Sequence, residues 1–162
     1  MLSVLAVLAA PSYLQQGLTA QDAEEVYNNL KGHTGAPEML PPLVISDSDV
    51  INAYASNGSI TITMGMLKFL KSKDELAFVI GHEMGHVLLS HLSGQMSDDS
   101  RIHEANADKF GTFLVLRAGY DVCVGKSVWQ RFVDVFGDSV ITASHPSSLQ
   151  RAWELDFPMC TK

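Results

Sequence analysis

Cysteine is scarce in this chain: Cys123 and Cys160 are the only two among 162 residues, and neither stands at a spacing that builds a metal site. Thiolate-clustered zinc modules are thereby excluded. Basic charge is short as well. With 11 Lys and Arg against 18 Asp and Glu, a net charge of -7, there is no electrostatic footprint for nucleic acid, and no nucleic-acid partner is expected. The nearest basic cluster, Lys68, Lys71 and Lys73, reads as a solvated helix end. Long apolar runs are also missing. Residues 1–10 are apolar but stop at Pro11, short of the ~20 residues that span a bilayer, and they have no basic flank of the secretory kind. Two readings of that segment stay open: an apolar helix packed on the domain, or a start point cut from a longer precursor. Repeats and low-complexity stretches are absent.

What is present is apolar mass enough for one core. At 46% hydrophobic residues, 162 residues fill a single domain, 1–162, with 1–18 set apart as an apolar segment, for which a truncated export or anchor region is one of the two readings. Thr19 with Asp22 marks a helix start and Gly32 its stop. Leu43 to Ser46 is a short strand. Asn57-Gly58 is a hairpin turn, and Ile60, Ile62 and Met64 alternate with Thr61 and Thr63 as a half-buried strand does. Ser72 with Glu75 forms a capping box that opens a helix expected to run to about Gly94. Helices follow at about 100–118, 126–136 and 147–156, with Pro158 beyond the last. The order predicts an α+β fold with a small early sheet and helices carrying the chemistry.

Inside the apolar run from Leu76 to Leu89 stand His82, Glu83 and His86, an H-E-x-x-H pentad. Residues four apart share a helix face, so His82 and His86 can offer both imidazoles to one ion, with Glu83 beside it as a base. Burying three polar groups there costs several kcal/mol unless something compensates, and one Zn2+ per chain does so. Catalytic zinc takes a third protein ligand. The downstream candidates are His91, His103, Glu104, Asp108 and His145. His91, five residues past His86, falls well off the ligand face and reads as a solvated last-turn histidine. Glu104 and Asp108 make an i, i+4 acidic pair, in which Glu104 ligates and Asp108 orients a ligand histidine by accepting its free N–H. His103 points about 100° away from Glu104, so only one of these neighbours can face the metal.

H-E-x-x-H followed by E-x-x-x-D on a later helix resembles the gluzincin metallopeptidases of the HtpX, OMA and CAAX prenyl endopeptidase type. The run Asn52 Ala53 Tyr54 Ala55, the segment 58–67, the lead 72–83 and Ser144 His145 Pro146 with Arg151 are similar to that family too. The likeness covers about residues 20–157. Asn106 stands where many members carry an acidic residue or glutamine, and the gap from His86 to Glu104 is too short for the membrane helices that integral members insert. The resemblance implies a compact, soluble, zincin-like catalytic domain and a zinc-dependent endopeptidase. His145 and Arg151 are then oxyanion donors, and Asn52 touches substrate.

The parts define a chemistry. Zinc on His82, His86 and Glu104 acidifies its water, and Glu83 moves the proton. Ser59, Ile60 and Thr61 are expected on a strand edge to which an extended or unfolded polypeptide adds by main-chain hydrogen bonds. A peptide deformylase shares the pentad but takes a cysteine ligand from upstream, and no cysteine precedes His82. A zinc-stabilised binding module has no use for Glu83. A latent or inactive homologue, acting as a binding or chaperone-like module, is the alternative that leaves the same letters. The two cysteines either pair or are unrelated buried thiols. Pairing is the expectation, and with it an extracytoplasmic site; a periplasmic or peripherally membrane-associated place in protein quality control is what the resemblance implies.

Overall fold

Thr19 opens the first helix by reciprocal capping: its hydroxyl accepts from the Asp22 N–H at 3.1 Å, and the Asp22 carboxylate accepts from the Thr19 N–H at 2.8 Å. The helix, α1 (Ala20–His33), buries Ala23, Val26, Tyr27 and Leu30 along one stripe and is capped by Thr34, close to the expected stop. The computed structural model describes residues 17–92 and 100–137, together with Cys160. The expected helix at 147–156 lies outside the described residues.

Three short strands follow: β1 (Leu43–Ser46), β2 (Ala53–Ala55) and β3 (Ile60–Thr63). β2 and β3 form the hairpin that Asn57-Gly58 predicts, closed by the Ser56 N–H donating to the Ser59 carbonyl at 2.8 Å. The expectation for β3 itself is corrected. It is the middle strand, parallel to β1 on one side and antiparallel to β2 on the other, and all four of its residues are buried. The apolar and threonine positions therefore both face protein. Thr63 meets this by placing its hydroxyl as the cap of α2 (Met64–Phe69), accepting from the Met66 N–H at 3.1 Å and donating to the Asn52 carbonyl at 2.9 Å. Met64, expected at the strand's end, begins that helix.

α3 (Lys73–Leu88) starts at Ser72 as its sequence predicts, but only half of the capping box forms. Ser72 accepts from the Glu75 N–H at 3.2 Å, while the Glu75 carboxylate turns to the Lys71 N–H and to a two-pronged ion pair with Arg131. Arg131 lies on α5 (Val124–Phe136), so a buried carboxylate ties α5 to the root of α3. α3 also ends sooner than the expected Gly94. Ser90 takes a positive φ of 60°, its N–H bonds the Val87 carbonyl at 3.1 Å, and the His91 N–H bonds the His86 carbonyl at 3.0 Å. This is the Schellman turn, here with serine where glycine is commonest.

α4 (Ser100–Arg117) packs along α3 at backbone distance. A Cβ on Gly111 would lie 2.7 Å from the His82 backbone nitrogen, and one on Gly85 3.0 Å from the Ala107 Cα. Glycine in a helix costs about 1 kcal/mol relative to alanine, and here it lets two helices approach closely enough to share a site. Among the described residues one apolar core runs from α1 through the sheet and α3 to Val128, Trp129 and Phe132 of α5. Cys123 and Cys160 are joined by a disulfide, as expected, and pack against that core.

Candidate metal centre

α3 places His82 and His86 one turn apart, and α4 brings Glu104 across the glycine-lined contact to meet them. All three are buried. The two Nε2 atoms lie 3.0 Å apart, with the Glu104 carboxylate oxygens 3.3 Å from His82 Nε2 and 3.2 Å from His86 Nε2. The third ligand chosen from sequence, Glu104 rather than His103, is the one that joins the cluster.

These groups fit zinc. Tetrahedral zinc with bonds near 2.0–2.1 Å sets neighbouring donors roughly 3.3 Å apart, close to the three separations found. The proton inventory agrees. Asp108 Oδ1 is 2.9 Å from His82 Nδ1, so a neutral His82 carries its proton there and turns a bare Nε2 towards the other donors. A bare nitrogen and a carboxylate converging in a buried space are balanced by a cation. Burial also pushes the His86 imidazole below the usual histidine range, which favours the neutral, ligating form.

Glu83 is buried beside His82, and both line a cavity of about 30 Å³ closed by Asn52, Met66, Trp129 and Phe132. Asn52, singled out in sequence, thus borders the same space as Glu83. Its backbone is committed to the sheet, with its N–H on the Thr63 hydroxyl and its carbonyl on the Thr63 N–H. Trp129 and Phe132 were not anticipated. Their positions with Val128 repeat at helical spacing on α5, a pattern that reads as core, and Trp129 does lie edge-on to both His82 and Phe78, each at 5.9 Å.

Two expectations are corrected here. Ile60 and Thr61 occupy the interior strand, paired on both sides, and Ser59 belongs to the hairpin turn, where its hydroxyl sits 3.2 Å from that of Thr61. None of them offers a free edge. Among the described residues β2 pairs only with β3, and it lies against α3, so the outer strand beside the metal site is β2. His91 is not a solvated last-turn residue either. The turn at Ser90 lies past the end of α3 and returns His91 half-buried onto His86, with the two Nδ1 atoms 3.2 Å apart. Burial, then the neighbouring His86, drives its pKa down to about 4. His145 and Arg151 lie outside the described residues.

A second opening, a groove of about 510 Å³, lies at the far end of β2 between Met39, Ser56, Asn57, Val87 and Leu92. Among the described residues no helix is long and apolar enough to cross a membrane. The lysines of the expected solvated patch are partly neutralised: Lys68 pairs with Asp49, and Lys73 with Asp22 and Glu25.

Comparison with known proteins agrees with this geometry. The mitochondrial metalloendopeptidase OMA1 of Arabidopsis thaliana is 26% identical over 144 residues, covering 68% of this chain and 30% of its own length. A protease HtpX homolog of Gemmatimonas aurantiaca is 39% identical over 84 residues, 47% of this chain and 29% of its own. The OMA1 of Schizosaccharomyces pombe is 26% identical over 143 residues, 65% of this chain and 42% of its own. The chain thus spans less than half the length of each relative. The model for peptidase family M48 matches residues 18–100, from the start of α1 through the pentad, and the chain belongs to that family.

Proposed function

We propose that the protein is a zinc-dependent endopeptidase acting on extended or unfolded polypeptides. The observation that carries this is the convergence of His82 Nε2, His86 Nε2 and the Glu104 carboxylate within 3.0–3.3 Å, beside a buried Glu83 and along an outer strand. Zinc bound there polarises a peptide carbonyl and makes its water acidic near neutral pH. The chain's own groups do the rest. Asp108 holds the His82 tautomer. Glu83 takes a proton from the water as its oxygen attacks the carbonyl carbon, then returns it to the nitrogen as the C–N bond breaks. His145 and Arg151 are assigned, on the sequence motif alone, to donate to the oxyanion.

Substrate is read onto β2. Its start at Asn52 and Ala53 borders the cavity beside Glu83, and the Ser56 and Asn57 that follow it border the larger groove, so a strand added along Ala53–Ala55 passes both openings. Main-chain pairing of that kind selects for extended chains more than for sequence. The disulfide supports an extracytoplasmic location, and a periplasmic or membrane-peripheral role in protein quality control is assigned on the sequence resemblance alone. The test is metal content with casein hydrolysis, with and without chelator. One zinc per chain and chelator-sensitive cleavage are expected. Zinc-loaded protein that cleaves nothing would overturn the proteolytic reading in favour of a latent zinc-binding module.

A further inference from the structure

We propose that His91 is the positioning residue for the ligand His86, doing for it what Asp108 does for His82. The inference rests on the zinc reading above. A neutral imidazole that ligates through Nε2 carries its proton on Nδ1, and an acceptor for that proton fixes the ring. For His82 the acceptor is the Asp108 carboxylate at 2.9 Å. His86 turns its Nδ1 to the Nδ1 of His91 at 3.2 Å. Two nitrogens at that distance need one donor between them. Because His86 Nε2 must stay bare to ligate, its Nδ1 is the donor, which makes His91 Nδ1 the acceptor and leaves the His91 proton on Nε2.

The fold is built to hold this contact. The positive φ of Ser90 ends α3, and the hydrogen bond from His91 N–H to the His86 carbonyl returns the chain over the residue it serves. His103 of α4 then lies flat on the His91 ring, centroids 4.2 Å apart and planes 11° from parallel. His91 is thus clasped between the second ligand and the helix that carries the third. This also gives His103 a place: it is not among the three converging donors, and it backs the ring that orients His86. The two histidine ligands have unlike partners, one a carboxylate and one a neutral ring, so His82 is the more strongly donating of the two.

The test compares zinc affinity, by competition with a chromophoric chelator, for wild type, His91→Phe and His91→Asn. Phenylalanine keeps the stack on His103 but has no acceptor; asparagine puts an oxygen near the Nδ1 position. Outer partners of ligand histidines are commonly worth 10–100-fold in metal affinity, and His91→Phe should lose that much while His91→Asn recovers to within about threefold of wild type. The visible spectrum of the cobalt-loaded protein should change in His91→Phe and return in His91→Asn. Wild-type affinity in His91→Phe, or a loss that His91→Asn fails to recover, overturns the positioning role alone. A wild-type chain that takes up no zinc overturns the metal reading and this role with it.

Discussion

At the scale of single residues, the groups that would hold the metal in the proposed function are distinct from the group that would move a proton. Glu83 is buried next to His82 but is not among the three converging donors. Glu83→Gln should therefore keep full zinc content while turnover falls about 10²–10⁴-fold, read by metal analysis alongside peptide hydrolysis. Unchanged hydrolysis would remove Glu83 from the mechanism. Glu104→Ala should lower zinc occupancy, whereas His103→Ala should stay near stoichiometric, since His103 stacks on His91 and is not among the three converging donors. His82 with His86, and Glu104 with Asp108, were legible in sequence as pairs four apart on one helix face. The role of His91 was not. A helix continued to Gly94 swings that residue away, and nothing in Leu89, Ser90 and His91 announces that a serine will take the left-handed conformation in which glycine is usual.

At the scale of elements, the decisive contact is α3 against α4. Gly111→Ala would place a Cβ 2.7 Å from the His82 backbone nitrogen and 2.8 Å from the Gly81 carbonyl carbon, neither of which can swing aside. Overpacking of that kind costs about 1–3 kcal/mol, so the variant should melt at lower temperature and bind zinc more weakly, because Glu104 is carried on the displaced helix. Equal melting and equal zinc affinity would contradict the close-packing account. The cap of α1 offers a pH test. The Thr19 hydroxyl, then Lys73, lowers the Asp22 carboxyl from 3.8 to about 2. A carboxyl depressed on folding contributes stability above its unfolded value and loses it as pH falls through the folded one. The melting difference between wild type and Asp22→Asn should thus be full above pH 3.8 and close as pH falls towards about 2. Helix starts such as this were readable because capping chemistry is local. The place of β3 in the middle of the sheet was not, since alternation of isoleucine and threonine describes a strand without naming its neighbours.

At the scale of the whole molecule, the Glu75–Arg131 pair ties α5 to the root of α3, and the Cys123–Cys160 disulfide, closing a sequence separation of 37, ties the start of α5 to a residue that packs against the same core. In the loop-entropy model that closure is worth about 4 kcal/mol, so Cys123→Ser with Cys160→Ser should unfold at markedly lower denaturant than the oxidised wild type. Coincident unfolding of the two would show that the bond contributes nothing. Because α5 supplies Trp129 and Phe132 to the cavity beside Glu83, the double serine variant should lose peptide turnover before it loses zinc. The α+β outline was legible from the order of strand and helix signals. The wall that α5 builds at the site was hidden, because tryptophan and phenylalanine at helical spacing look the same whether they line a core or a cleft.

The central claim is that one zinc ion sits between His82, His86 and Glu104. An anomalous difference map at the zinc edge from zinc-soaked crystals tests it most directly. The account predicts one peak per chain within bonding reach of His82 Nε2, His86 Nε2 and a Glu104 carboxylate oxygen. A peak held by other residues, or no peak among these three in protein that has been given zinc, would contradict it.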